Sequence, residues 1–273
     1  MLNALSIDVE DYFQVSNFEK IVKKEDWDAY ECRVLPNTRK LLDILSSHNV
    51  RATFFILGWV ADKYPELIKE IDYRGHEIAS HGYWHRLVYK MTPGEFEEDL
   101  SMSLKSIEGI TKKKVKGFRA PSWSINKDSS WAMDILKDSG MQYDSSVFPA
   151  FRDKGGMPDA NRFIYHWGNG LLEFPCSTVR FAGANIPVAG GGYFRLYHYN
   201  MTKWAIENIN KEGHPAMVYI HPWEIDPDQP RLDAGPIAGF RHYVNMGNAE
   251  CKLEKLLTDF TFMAIEDIFT SKG

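Results

Sequence analysis

The sequence predicts an α/β fold built on parallel strands, and three observations carry that prediction. Strand-like and helix-like segments alternate about six times, which implies parallel strands joined by right-handed crossovers. Asp8, His81, Arg119, Asp144 and His221 all fall at the C-terminal ends of expected strands. In barrels and open α/β sheets alike, that edge carries the chemistry. Finally, 273 residues at 44% hydrophobic suffice for one large core, and α/β barrels routinely reach this length. No internal repeat, low-complexity segment or Pro/Ser-rich linker divides the chain, so one domain over 1–273 is expected.

The first strand is read over Ala4 to Val9 and ends among Asp8, Glu10 and Asp11. Leu41, Leu42, Ile44 and Leu45 recur at helical period and predict a helix from Thr38 to His48. The β-branched and aromatic run Arg51 to Leu57 reads as the second strand. Asp62 to Tyr73 reads as a helix closed by Gly75. His76 to Ser80 is a short strand that delivers His81 and His85 at its end. Thr92, Pro93 and Glu95 form a capping-box signature that opens a helix running to Gly109. Lys116 to Arg119 is a strand, Asp128 to Ser139 a helix, and Gln142 to Ser146 another strand. Gly155-Gly156, Asn169-Gly170 and Gly190-Gly191-Gly192 punctuate the stretch 150–200, which reads as short strands and long loops. The last of these, with Tyr193, is expected as a tight loop. Thr202 to Lys211 is a helix, and Ala216 to Ile220 a strand ending at His221-Pro222-Trp223-Glu224. Ala249 to Leu257 is the final helix and Phe260 to Ile265 the final strand.

Composition excludes several classes. The formal net charge is −5 and no basic stripe argues for nucleic acid. Lys112-Lys113-Lys114 reads as a solvated loop or helix end. No apolar run reaches the ~18 residues that span a bilayer. The chain enters a strand at once, with no basic n-region or cleavage site, so no signal peptide is expected. Cys32, Cys176 and Cys251 are odd in number and widely spaced, against a disulfide framework or a thiolate zinc site. Together these features lead to the expectation of a cytoplasmic, reduced protein. Aromatic residues reach 14%, which suits flat sugar faces but also fills ordinary cores.

The most informative segment is His81-Gly82-Tyr83-Trp84-His85. Two imidazoles four residues apart can face one point, and neutral imidazole is the commonest protein ligand for zinc. Two His and one carboxylate, with open positions, form a catalytic rather than a structural metal site. In an extended strand Asp8 and Glu10 share a face while Asp11 turns away. If the strand has already ended, Asp11 swings in instead, so Glu10 and Asp11 are both candidate ligands. This donor set suits zinc first, with cobalt, nickel, manganese or iron as alternatives.

The order of motifs resembles the polysaccharide deacetylase family, carbohydrate esterase family four. The family's first motif, a strand ending Thr-Phe-Asp-Asp, is similar to Ser6-Ile7-Asp8-Val9-Glu10-Asp11. Its His-Ser/Thr-x-x-His motif reads His81-Gly82-Tyr83-Trp84-His85 here. Its Arg-x-Pro-Tyr/Trp motif is similar to Arg119-Ala120-Pro121-Ser122. A looser fourth motif includes Asp144, and a fifth, a hydrophobic strand ending in His, is similar to Val218-Tyr219-Ile220-His221-Pro222. The likeness covers 4–223, with 224–273 expected as an extension packed on the barrel. It looks closest to a subgroup found beside bacterial exopolysaccharide and exosortase genes, whose members carry Asp-Val-Glu-Asp-Tyr-Phe, as at Asp8 to Phe13, and Phe-Arg-His-Tyr, as at Phe240 to Tyr243. Two positions depart from the pattern. The adjacent Asp-Asp pair is absent, and Ser122 stands where the family has an aromatic, for which Trp123 is the obvious stand-in.

The resemblance implies a distorted (β/α) barrel of about seven parallel strands. It also implies removal of acetyl from an N-acetylated glycan, aided by a divalent metal, zinc above all. Such a metal polarises the acetyl carbonyl and lowers the pKa of bound water from about 15.7 toward about 7. Asp8 is then the expected general base, paired with and oriented by Arg119. His221 is the expected general acid, its pKa raised by a nearby carboxylate, for which Asp144 is the candidate. The N–H after Pro121 would support the oxyanion. Pro121, Ser122, Trp123 and Trp223 are expected at the substrate, with Glu224 a further lining candidate, while His76, His198 and His242 are expected to be structural. Two rival readings remain: the same fold and metal acting on a small non-sugar amide or cyclic ureide, and a non-catalytic carbohydrate-binding protein. Asp8, Arg119 and His221 together speak against the second.

Overall fold

Strand parity organises this protein. In the computed structural model, which describes 1–273 except 153–154, 189 and 271–273, β1 spans Leu2–Val9. Leu5, Ile7 and Val9 join the main hydrophobic cluster, which the surrounding helices complete, whereas Ala4 belongs to a second, inner cluster. Side chains alternate along a strand, so Ser6 and Asp8 share the inner face with Ala4.

The chain continues through α1 (Val34–Ser47), β2 (Thr53–Ile56), α2 (Gly58–Lys63), α3 (Pro65–Tyr73), β3 (Glu77–Ser80), α4 (Pro93–Thr111), β4 (Gly117–Phe118), α5 (Ala132–Asp138) and β5 (Tyr143–Asp144). It then forms β6 (Tyr165–His166), β7 (Leu172–Glu173), β8 (Thr178–Phe181), β9 (Ala184–Pro187), α6 (Gly191–Leu196), α7 (Tyr199–Lys211) and β10 (Met217–Ile220). Last come α8 (Pro236–Tyr243), α9 (Ala249–Asp259), β11 (Thr261–Met263) and α10 (Ile265–Thr270). The main sheet runs β10-β1-β2-β3-β4-β5-β7-β6. Every neighbouring pair from β10 to β7 is parallel, and only β6 pairs antiparallel. This is the parallel α/β architecture that the alternation of elements predicts, curled into the distorted (β/α) barrel that the resemblance implies. Its seam is loose. Met217 N donates to Ser177 Oγ at 2.7 Å, and a single bridge joins Gly190 to Tyr219. Glycine is required at 190, because a Cβ there would lie 2.1 Å from the Tyr219 ring.

Several boundaries depart from expectation, each for a local reason. The single helix expected over Asp62 to Tyr73 is two, because Pro65 takes the first position of α3 after a non-helical Tyr64. The expected loop at Gly190-Gly191-Gly192 instead opens α6. The last strand is only Thr261–Met263, and the chain then turns into α10. The capping box at Thr92 and Glu95 forms as read, with both reciprocal hydrogen bonds present. Among the described residues, no helix is long and apolar enough to cross a membrane.

Candidate active site

Parity delivers the polar residues to one place. Met217 and Tyr219 of β10 face the inner cluster, so His221, next in alternation, follows them. Phe118 of β4 faces outward, which turns Arg119 in, and Ala79 of β3 does the same for His81. Arg119 is fully buried. Its Nη1 donates to Asp8 Oδ1 at 2.6 Å and to Ser6 Oγ at 2.8 Å, while Nε and Nη2 reach Ser145. Phe55 and Trp123 flank its guanidinium, 4.0 and 4.5 Å from the ring centroids. One oxygen of Asp8 is thereby held, and the other lies 3.9 Å from His221 Nε2.

Glu10, His81 and His85 form a buried trio whose ligand atoms lie within 4.8 Å of one another. His81 Nδ1 meets the Arg119 carbonyl at 2.8 Å, which places the proton on Nδ1 and leaves Nε2 free to ligate. Burial holds the His81 pKa down to about 4, so the ring is neutral. His85 takes a left-handed backbone (φ 51°), and its Nε2 lies 2.5 Å from Glu10 Oε2. That carboxylate oxygen is buried, and no donor other than this imidazole reaches it. Burial opposes charge on Glu10, but His85 and His221 outweigh it and hold the carboxyl below the usual range. A buried carboxylate oxygen close against two imidazoles is a donor set that fits a divalent cation.

Asp11, the other candidate ligand, is not in this trio. Its Oδ2 accepts from the backbone N–H of Arg33 and Val34, at 2.7 and 2.8 Å, and so caps the start of α1, whose own N-cap residue Arg33 makes no side-chain cap. Tyr12 N donates to Oδ1. Asp144 is likewise placed away from His221. Tyr143 faces the inner cluster, so Asp144 points to the opposite side of β5. There it accepts from Ser146 and lies in register with Glu173 of β7. Burial pushes its pKa up to about 6.

The carboxylate that does meet His221 is Glu224, three residues on. Its Oε2 is 2.8 Å from His221 Nδ1 and also accepts the His221 backbone N–H at 2.9 Å. Glu224 had entered the sequence reading only as a lining residue. The spacing His-x-x-Glu after a strand end, a capping box with His at its head, was the available signal. Burial opposes protonation of His221, but Glu10, Glu224 and Asp8 outweigh it and raise the pKa to about 9. Because the folded pKa exceeds the ordinary 6.5, the folded state keeps a proton that the unfolded chain releases. This contribution to stability is full below pH 6.5 and is lost as pH rises through about 9. Denaturant titrations of metal-free protein across that window are expected to show a falling midpoint, and His221→Asn is expected to flatten it. A fall of equal size in that variant would contradict the assignment.

The site opens into a cleft of about 790 Å³. Asp8, Glu10, His85 and His221 lie at its polar end, and Ser122, Trp123, Tyr219 and Trp223 form its walls. Trp223 Nε1 donates to Glu10 Oε1 at 3.3 Å. Phe151, Leu196, Ile237 and Phe240 expose apolar surface around the rim. Pro121 does not line the cleft; it is buried in the tight turn Pro121–Trp123, where Ser122 and Trp123 both take positive φ.

Over 99% of its length the chain is 32% identical to the peptidoglycan-N-acetylmuramic acid deacetylase PdaA of Bacillus subtilis (strain 168), 80% of which it covers. The chain belongs to the polysaccharide deacetylase family. The model of that family, described as polysaccharide deacetylase, matches residues 28–143, and a model described as a domain of unknown function (DUF3473) matches 145–270. A peptidoglycan-N-acetylglucosamine deacetylase of Bacillus cereus is 34% identical over 40% of this chain and 44% of its own. The chain spans less than half the length of several curated family relatives that it matches. In fold, it is similar to the crystal structure of a candidate polysaccharide deacetylase from Mycobacterium smegmatis, with a TM-score of 0.65 at 21% identity, over 98% of this chain and 88% of that one.

Proposed function

We propose that this protein is a divalent-metal-dependent hydrolase. It removes N-acetyl groups from an amino sugar in a polysaccharide, oligosaccharide or lipid-linked glycan precursor. The observation that carries this reading is the clustering of Glu10, His81 and His85 at the end of the cleft that Glu10, His85, Asp8 and His221 line. Glu10, His81 and His85 would hold the cation, and two nitrogens with one oxygen favour zinc. When bound, it supplies Lewis acidity toward an acyl carbonyl and acidifies water. Asp8 takes the proton of a water that adds to the acyl carbon, and Arg119 holds one oxygen of Asp8 and so aims the other. The N–H of Ser122, following Pro121, supports the developing oxyanion. His221 Nε2 gives its proton to the amine nitrogen as the C–N bond breaks, leaving acetate and a free amino sugar. Ser122, Trp123 and Trp223 stand in the cleft wall that would meet the sugar. Three free cysteines support a reducing, cytoplasmic setting.

Acetate release from N-acetylglucosamine oligomers tests this reading against a panel of small amides and cyclic ureides. Turnover is expected on the glycan, lost on chelation and restored by zinc. Hydrolysis confined to the small amides would replace the substrate class. No hydrolysis of any member, with zinc bound at Glu10, His81 and His85, would support the binding-protein reading instead.

A further inference from the structure

Resting on the reading of His221 as proton donor, we propose that Arg195, acting through Glu224, positions His221. The stretch matched as a domain of unknown function would then serve to brace the general acid. Glu224 is fully buried, and its two oxygens are divided. Oε2 holds His221 by Nδ1 and backbone N–H, and Oε1 accepts from Arg195 Nε at 2.6 Å. Arg195 is itself buried and has no solvent to satisfy its remaining donors. They go to three carbonyls of one turn at the end of α8. Nη1 reaches His242 at 2.5 Å and Val244 at 3.1 Å, and Nη2 reaches Arg241 at 3.1 Å. The same turn secures the ring from its face. Trp223 stacks on His221 with centroids 5.1 Å apart, and His242 stacks on Trp223 at 4.2 Å. His242 is in turn fixed by Gln229 at 2.8 Å.

The chemistry follows from the tautomer. A carboxylate at Nδ1 fixes the ring so that the transferable proton sits on Nε2, facing the cleft. A carboxylate free to rotate would not. Arg195 removes that freedom by occupying the other oxygen. Phe240 to Tyr243, which the barrel motifs do not need, thus acquires a role: its backbone carries the brace.

A proton donor matters when the leaving group is basic, and little when it leaves as a stable anion. The test compares acetate release from N-acetylglucosamine oligomers with hydrolysis of acetate esters graded from p-nitrophenol to a simple alkanol, in the zinc-loaded protein. In Arg195→Met, the ratio of N-acetyl to p-nitrophenyl-ester turnover is expected to fall by about 10²-fold, the lower range for one proton-transfer group. The dependence on leaving-group basicity should steepen accordingly. Because that variant leaves Glu224 unpaired, Arg195→Met/Glu224→Gln, neutral on both sides, is measured beside it and is expected to show the same steepening. A merely structural Arg195 would lower all substrates in parallel, and that result overturns the proposal. Crystal structures of both variants give a second readout: a His221 ring rotated away from Nδ1–Glu224 geometry is expected, and an unmoved ring overturns the brace. If the parent protein hydrolyses none of the probes, the deacetylase reading fails, and ring position decides the brace alone.

Discussion

Asp8→Asn is expected to lower acetate release by about 10²–10⁴-fold, the contribution of one general base. Asparagine keeps the size of the side chain and can still accept from Arg119 Nη1, now 2.6 Å from Asp8 Oδ1. What it loses is basicity at the oxygen that faces the cleft. Glu10, His81 and His85 are untouched, so zinc affinity measured by calorimetry should stay near the parent value. The rate loss would therefore appear in kcat and not in metal occupancy. Unchanged acetate release by a folded, zinc-loaded Asp8→Asn protein would remove Asp8 from the mechanism.

Arg119→Met should give the largest loss of stability. The ion pair with Asp8 has side-chain exposures of 0% and 3%, so removing the cation strands a carboxylate away from water. Breaking such a pair costs about 3–5 kcal/mol. The double variant Asp8→Asn/Arg119→Met leaves no buried charge and should recover a part of that loss, with a coupling of about 0.5–3 kcal/mol. Denaturant unfolding of the four proteins measures the cycle. The exposed pair Lys127–Asp159 is the contrast, and Lys127→Ala should leave the midpoint unmoved. A loss below about 1 kcal/mol in Arg119→Met would mean that water or a neighbour satisfies Asp8, and the pair would have no structural role.

Much of the site was legible because its signals are short-ranged. Alternation in Ala4 to Val9 and in Met217 to Ile220 marks which residues face inward, and the His81–His85 spacing marks a ligand pair. Two residues lie elsewhere than expected, for different reasons. Asp144 sits beside inward-facing Tyr143, so it had to face outward, toward Glu173. Asp11 follows Glu10 after the strand has ended, and its partners are backbone N–H groups of Arg33 and Val34, 22 and 23 residues away. Nothing near Asp11 in the chain announces them.

The residue types, the period of each segment and the order of strands and helices were properties of the chain alone. They determined a parallel α/β architecture with acids, imidazoles and an arginine at strand ends. Partnership was not of that kind. Which group takes the second oxygen of Glu224, which oxygen of Asp8 is tied down and which turn holds Arg195 depend on residues 29 to 111 apart being brought within hydrogen-bonding reach. Hydrogen bonds and ion pairs act over a few ångströms. Only the curled sheet and the helices closing around it set which distant groups come that close.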